Sequence, residues 1–130
     1  MAKRPIPSVG DVMSWERTFT VEEIAAFAKL SGDEGVHHMT PDDKGRIRVH
    51  GLLTMSLPTH IGGELDFIAS EMSYQFMRPV FAGQTIRCDV EVLSRADEPD
   101  RVRLEMSSVC RNPDGKEVLR GRTKGVILIS

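Results

Sequence analysis

Residues 51–62 read GLLTMSLPTHIG, a mostly apolar stretch that predicts a buried helix near the middle of the chain. Pro58 has no backbone N–H and predicts a kink within this helix. Gly62 and Gly63 predict its end. Because a helix of this kind must be covered by other elements, the rest of the chain is expected to wrap around it.

The chain after this helix alternates apolar and polar residues and predicts an antiparallel meander. One face of its first strand is expected to carry Ile68, Ser70, Met72, Tyr74 and Phe76. Three longer strands are expected at about 84–95, 100–111 and 116–129, separated by hairpin turns. Val102, Leu104 and Met106 form the expected buried row of the middle strand. This order predicts an α+β domain in which a curved antiparallel sheet wraps one hydrophobic helix.

A second helix is predicted upstream by its capping residues. Thr20 is a good N-cap, and Glu23 three residues later completes a capping box. Its expected apolar face carries Ile24, Phe27, Ala28 and Leu30. Gly32 is expected to end it, and a polar, irregular loop is expected over residues 31–49.

Length and charge limit the classes of protein to consider. The 130 residues fit one domain over residues 1–130, and a net charge of −2 gives no reason to expect a nucleic-acid partner. The sequence contains no run of about 18 apolar residues, so no membrane span is expected. The N-terminus lacks the apolar core of a secretory signal. Residues 1–17 are expected to wrap over the domain, with Trp15 packed there. These features favour a cytoplasmic protein.

The two cysteines, Cys88 and Cys110, fit a reduced intracellular protein. A hairpin turn centred near Glu98 would place Cys88 opposite Ser107 or Ser108. We therefore expect no disulfide between the two cysteines.

Two loop segments carry groups that suit acid–base chemistry. Asp33 and His38 lie five positions apart in the loop after the upstream helix. Gly51 begins the central helix, where a backbone N–H is unpaired at the positive end of the helix dipole. Such groups suit chemistry on a carbonyl conjugate, such as adding water beside a thioester. His37 is the alternative to His38, and His50 is expected to hold the loop at the helix start.

Several motifs are similar to those of the MaoC-like (R)-specific enoyl-CoA hydratases, a family with the hot-dog fold. The matching residues are Phe19-Thr20-Val21-Glu22-Glu23-Ile24, Ser31-Gly32-Asp33, His38, His50-Gly51-Leu52-Leu53, Ser56-Leu57, Phe76-Met77-Arg78-Pro79-Val80 and Gly83-Gln84-Thr85-Ile86. The chain departs from the family where Gly35 and Val36 replace an Asn-Pro pair and His37 replaces an aliphatic residue.

The resemblance implies reversible hydration of trans-2-enoyl thioesters to (R)-3-hydroxyacyl thioesters. It implies that Asp33 and His38 hold a water, that the Gly51 N–H donates to the thioester oxygen, and that Ser56 orients the aspartate. It also implies an acyl-CoA or acyl-carrier-protein substrate, no separate cofactor, and a homodimer or higher homo-oligomer.

Other interpretations stay open. A hot-dog thioesterase would need a carboxylate on or near the central helix, whereas residues 51–62 contain no Asp or Glu. A non-catalytic acyl-CoA-binding module would bind without turnover. No metal site is expected, because the four histidines lack the i, i+4 spacing of metal ligands. They are His37, His38, His50 and His60, and the last is expected in the core or an interface.

Two sets of side chains have alternative roles. A basic set on the late strands either contacts coenzyme A phosphates or forms a solvated sheet face: Arg101, Arg103, Arg111, Lys116, Arg120, Arg122 and Lys124. Arg78 is a further candidate for a phosphate. An apolar set either lines an acyl tunnel or belongs to the core: Met39, Met55, Leu57, Met72 and Met77.

Overall fold

The structure is a computed structural model, and it describes residues 4–129. The helices are α1 (Val21–Ser31), α2 (Val36–Met39), α3 (Gly51–Thr54) and α4 (Ser56–Glu64). The strands are β1 (Val12–Thr18), β2 (Phe67–Phe76), β3 (Thr85–Asp97), β4 (Arg101–Arg111) and β5 (Glu117–Leu128). Within residues 4–129, no helix is both long enough and apolar enough to cross a membrane.

The five strands form one antiparallel sheet in the order β1-β3-β4-β5-β2. Helix α4 lies against it and contacts β1, β3 and β2. Leu57 and Ile61 of α4 are fully buried. They share one core with the inward row of β3, which is Ile86, Cys88, Val90 and Val92. The buried row expected on β4 is also confirmed, since Val102, Leu104 and Met106 are each at most 3% exposed. A sheet wrapped around one apolar helix is the predicted architecture.

The central helix differs in detail from the single helix expected. It is interrupted at Met55, which separates α3 from α4. Pro58 explains the irregularity, because it cannot donate to the carbonyl four residues before it. The expected end at Gly62 and Gly63 is wrong, and the helix continues through both residues to Glu64.

The capping prediction for α1 is confirmed. The Thr20 hydroxyl accepts from the Glu23 N–H at 3.1 Å, and the Glu23 carboxylate accepts from the Thr20 N–H at 2.9 Å. The backbone N–H of Thr20 and the Arg17 side chain both lower the pKa of Glu23. Gly32 ends the helix with a left-handed φ of 81°. Leu30 does not join the apolar face as expected, since it is 85% exposed.

Strand β1 was not predicted from the sequence, from which residues 1–17 were expected only to wrap over the domain. It pairs with β3, and it brings Trp15 onto α4. The Trp15 and His60 rings stack with centroids 3.7 Å apart. Nε2 of His60 lies 3.4 Å from the Glu64 carboxylate. His60 is thus a partly exposed side chain of the helix surface and not a core histidine.

A bulge changes the face pattern expected for β2. Its pairing with β5 shifts register between Ala69 and Glu71. Ala69 lies with Met72 and Tyr74 in the lining of one cavity, so Ser70 is the extra residue and Ile68 does not share their face. The expected single row from Ile68 to Phe76 is therefore wrong in its first half.

The register predicted for the cysteines is also wrong. Cys88 pairs with Cys110, because the hairpin turn follows Asp97 and a bulge lies between Val92 and Ser94. Both thiols are buried and free. A hydrogen bond with Cys110 and burial together raise the pKa of the Cys88 thiol.

Gly125 of β5 lies close to the backbone of β2 beside the bulge, and a larger residue there is expected to destabilise the fold. A Cβ atom at this position would lie 2.1 Å from the Ile68 carbonyl oxygen and 2.9 Å from the Ala69 Cα. Because backbone atoms cannot move aside cheaply, Gly125→Ala is expected to lower the free energy of unfolding by about 1–3 kcal/mol. Urea unfolding of the two proteins measures this difference.

Gly63→Ala is the matched control. A Cβ at Gly63 meets no atom within 4 Å, and the residue lies inside α4. This variant is expected to gain up to about 1 kcal/mol from helix propensity. Equal stability of Gly125→Ala and the wild type would contradict the close packing of β2 on β5.

Candidate active site

The turn after α1 fixes the position of the Asp33 carboxylate. The Asp33 N–H donates to the Ser31 hydroxyl at 3.1 Å, and Oδ1 of Asp33 accepts from the Gly35 N–H at 3.2 Å. Gly35 then serves as the N-cap of α2, with φ −53° and ψ 143°. The carboxylate is 55% exposed, so solvent and substrate have access to it.

Helix α2 carries His38 to a buried place beside this carboxylate. Nδ1 of His38 lies 2.8 Å from the carbonyl oxygen of Arg48, so Nδ1 carries the proton that it donates. Nε2 of His38 therefore faces Asp33, with its nitrogen 3.7 Å from Oδ2. The structure brings these two predicted residues together, with the imidazole tautomer set by a backbone acceptor.

His50 connects both residues. Its Nε2 lies 2.9 Å from the main-chain carbonyl oxygen of Asp33, to which it donates. Its ring stacks on that of His38, with centroids 3.8 Å apart and planes 20° from parallel. His50 is almost fully buried, and its Nδ1 has no partner among the described residues. His37 is exposed, and its ring contacts the other side of His38 with centroids 4.0 Å apart.

Asp33, His38 and His50 are close enough to be considered as a metal site. In the described part of the chain, each of them has one potential ligand atom within 4.8 Å of those of the other two. The lone pairs of the two rings lie in the ring planes, and because the stacked planes are nearly parallel, the lone pairs do not converge on a common point. One nitrogen of each ring donates to a carbonyl oxygen, as in many histidine ligands of metals, so the atoms that remain for a metal are Nε2 of His38 and Nδ1 of His50, which lie in separate, nearly parallel planes. The geometry therefore suits proton transfer better than metal binding.

Gly51 is the first residue of α3, directly after His50. Its N–H has no acceptor among the described residues, as expected in a first helical turn. The ring of Phe76 lies over this residue, and a Cβ at Gly51 would be 2.7 Å from Cε1 of that ring. Close approach of Phe76 thus requires glycine here.

Two hollows lie along the central helix, and the first is lined in part by this group. One is a cleft of about 390 Å³, whose lining includes His37, His38, Arg48, Gly51, Phe76 and Arg78. The other is an apolar cavity of about 180 Å³ between α4 and the sheet, lined by Met55, Thr59, Phe67, Met72, Tyr74 and Met106 among others. Of the expected tunnel residues, Met55 and Met72 line the cavity, Met77 lines the cleft, and Leu57 is core.

Known proteins share both the sequence and the fold of this chain. The (R)-specific enoyl-CoA hydratase of Aeromonas caviae is 34% identical over 101 residues, which cover 70% of this chain and 75% of that protein. The chain belongs to the MaoC-like (R)-hydratase family. The chain is also similar to the solved structure of an (R)-hydratase from A. caviae involved in PHA biosynthesis. The TM-score is 0.81 at 29% identity, and the match covers 95% of this chain and 98% of that one. This MaoC-like chain therefore has the predicted hot-dog fold.

A second relative of this hydratase-family chain comes from a plant. The mitochondrial 3-hydroxyacyl-[acyl-carrier-protein] dehydratase of Arabidopsis thaliana is 25% identical over 135 residues, which cover 98% of this chain and 81% of that protein. No protein-family model matches the chain. The named relatives add or remove water, and this MaoC-like protein is accordingly a hydro-lyase.

The contact expected between Ser56 and Asp33 is not found in the hydratase-family site. The Ser56 hydroxyl donates to the Leu53 carbonyl oxygen at 2.5 Å. The interruption before α4 explains this choice, because that carbonyl lies three residues back at the helix break. In the described residues, the Asp33 side chain is held instead by the Gly35 N–H, and its main chain by His50.

The basic set of the late strands lies away from the cleft of this MaoC-like chain. Its arginines pair with carboxylates: Arg101 with Asp100, Arg103 with Glu98, Arg111 with Asp89 and Glu117, Arg120 with Glu117, and Arg122 with Glu105. None of these residues lines the cleft. Their arrangement is that of a solvated sheet face.

One carboxylate lies on the central helix after all. Glu64 is the last residue of α4, although the sequence placed it just past the helix. Its carboxylate contacts Arg4 at 3.3 Å and His60 at 3.4 Å. It lines neither the cleft nor the apolar cavity. Glu64 therefore does not supply the carboxylate that a hot-dog thioesterase would need at the helix.

Proposed function

We propose that the protein catalyses the reversible addition of water to trans-2-enoyl thioesters, giving (R)-3-hydroxyacyl thioesters. The observation that carries this proposal is the placement of the Asp33 carboxylate 3.7 Å from Nε2 of His38, a residue that lines the same cleft as Gly51 and its unpaired N–H. The named relatives support the reaction and its stereochemistry.

Asp33 and His38 activate the water in this proposal. A water held between these two atoms, which are 3.7 Å apart, donates one O–H to Oδ2 of Asp33 and the other to Nε2 of His38, because both atoms are acceptors in this tautomer. As its oxygen bonds the β-carbon, one O–H bond breaks and the pair takes that proton. The pair then delivers a proton to the α-carbon, which completes the addition. Dehydration follows the same steps in reverse.

Gly51 stabilises the charge that develops on the thioester oxygen. Addition at the β-carbon pushes electron density onto this oxygen before the α-carbon is protonated. An unpaired N–H in the first helical turn is a preorganised donor for that charge. His50 directly precedes this donor, and its ring donates to the Asp33 carbonyl oxygen and stacks on His38, so the three groups keep a fixed spacing.

The two hollows suggest how the thioester lies. The apolar cavity beside α4 suits an acyl chain, since Met55, Phe67 and Met72 form its wall. The cleft beside Gly51 suits the carrier, which is coenzyme A or acyl carrier protein. The proposed chemistry is complete with the thioester and water and uses no further cofactor.

We further propose that the protein forms a homodimer through the free edge of β2. Among the described strands, β2 pairs only with β5, and exposed apolar residues lie on β2 and directly after it. They are Ile68, Phe76 and Met77. An unpaired strand edge with apolar neighbours favours pairing with a second copy.

Light scattering tests the dimer. The wild type is expected at twice the monomer mass, and Ile68→Lys is expected to shift the mass toward the monomer because the charge would be buried against a second copy. Leu30→Lys changes an equally apolar, more exposed residue on α1 and is expected to leave the mass unchanged. A monomeric wild type would contradict this assembly.

The reaction is tested with crotonyl-CoA by following the loss of its conjugated absorbance and the release of free thiol in parallel. We expect absorbance loss without thiol release, and an (R)-3-hydroxybutyryl product. Thiol release would indicate a thioesterase. Tight binding with neither signal would indicate a binding module.

A further inference from the structure

The arginines of the described residues fall into two groups. Most of them pair with a carboxylate. In addition to the sheet-face pairs above, these are Arg4 with Glu64, Arg17 with Glu23, Arg46 with Asp42, Arg87 with Glu16 and Asp89, and Arg95 with Asp97. Within residues 4–129, only Arg48 and Arg78 have no carboxylate partner.

Both unpaired arginines line the same hollow, the cleft that also contains His38 and Gly51. No Asp or Glu is among the cleft-lining residues. An unpaired arginine at a surface is ordinary by itself. Two of them on one cleft without a carboxylate, in a chain whose other described arginines are all paired, create a local positive potential.

The main chain of Arg48 is fixed beside the candidate catalytic pair. Its N–H donates to the His37 carbonyl at 3.2 Å, and its own carbonyl accepts from His38. The guanidinium carbon lies 5.9 Å from the centroid of the Phe81 ring. This leaves the N–H donors of Arg48 directed at no protein acceptor in the described part of the chain.

Arg78 is held from the other side of the cleft. Its Nη1 donates to the Glu117 carbonyl oxygen at 2.7 Å. A guanidinium has five N–H donors, so the remaining ones are available to a ligand. Both arginines are exposed, and an anion entering the cleft can reach them.

We propose that Arg48 and Arg78 bind the phosphate of the phosphopantetheine arm, the group that coenzyme A and acyl carrier protein share. This inference rests on the proposed function, since the thioester is what brings the arm into the cleft. Guanidinium groups bind phosphate through paired, charge-assisted hydrogen bonds. The arm enters with its phosphate at the outer arginines and its thioester oxygen at the Gly51 N–H.

The test compares four substrates with the same acyl group: crotonyl-CoA, crotonyl-phosphopantetheine, crotonyl-pantetheine and crotonyl-acyl-carrier-protein. Arg48→Gln and Arg78→Gln are each expected to lower kcat/KM about tenfold or more on the three phosphate-bearing substrates, mainly through KM. Neither should change kcat/KM on crotonyl-pantetheine, which has no phosphate. Arg120→Gln, at a paired arginine of the sheet face, is expected to leave all four values unchanged.

Three results would overturn the inference. Equal losses on crotonyl-pantetheine would give the arginines a structural role. A loss confined to crotonyl-CoA would move the contact to the phosphates of its nucleotide. Unchanged values on all substrates would remove the arginines from binding. Failure of the proposed function is distinct from all three, because the wild type would then hydrate none of the four substrates.

Discussion

Asp33→Asn and His38→Ala are each expected to lower kcat for crotonyl-CoA hydration by about 10²–10⁴-fold. Asn cannot accept the proton that the carboxylate takes, and Ala removes Nε2 from its place 3.7 Å from Oδ2. The loss should appear in kcat with little change in KM, since neither group is placed to hold the carrier. Absorbance kinetics at saturating substrate measure it.

His37→Ala is the matched control for the second variant. His37 is adjacent in sequence and contacts the same ring, but it is exposed and forms no hydrogen bond or ion pair with Asp33 among the described residues. Its removal is expected to leave kcat within about tenfold of the wild type. A larger loss in His37→Ala than in His38→Ala would reverse the assignment. Thermal unfolding of each variant separates a chemical defect from a folding defect.

The second large effect is expected when the Gly51 N–H is removed. A proline at position 51 lacks the N–H and fits the first position of a helix. His50 before it has φ −58° and ψ 142°, and a residue that precedes proline readily adopts these angles. The added ring carbons would clash with Phe76, so both Gly51→Pro and Gly51→Ala are made together with Phe76→Ala. The proline double variant is expected to have kcat about 10²–10³-fold below that of the alanine double variant.

This pair isolates the hydrogen-bond donor. Both double variants carry a Cβ at position 51 and lack the Phe76 ring, and they differ in the N–H. Crotonyl-CoA hydration measures both. Equal kcat values would mean that the thioester oxygen finds its donor elsewhere.

The parts of the fold that follow local rules could be predicted from the sequence. The capping box of Thr20 and Glu23, the left-handed Gly32 and the buried row of β4 each depend on residues a few positions apart. Strand β1 could not be predicted in this way, because most of its residues are exposed and no clean alternation marks it. The pairing of Cys88 with Cys110 depends on a bulge and a turn position that composition does not reveal.

The candidate site also contains some features that the sequence predicts and others that only the folded chain shows. The five-residue spacing of Asp33 and His38 is a local signal, and the sequence predicted the pair. The contact of His50 with the Asp33 carbonyl joins residues 17 positions apart, so only the folded chain shows it. Likewise, Arg48 and Arg78 are distinguished as arginines without a carboxylate partner only when the other described arginines have been matched with their carboxylates.

The His50 contacts have a consequence for how substrate range can change. The proposed water-binding pair and the proposed oxyanion donor are joined through one buried ring at the start of α3, whereas the apolar cavity is walled by α4, β2 and the strands beyond. Substitutions at Thr59 or Met72 alter the wall without touching the joined groups. The architecture is therefore modular: selection or engineering can retune acyl preference while turnover chemistry is inherited unchanged.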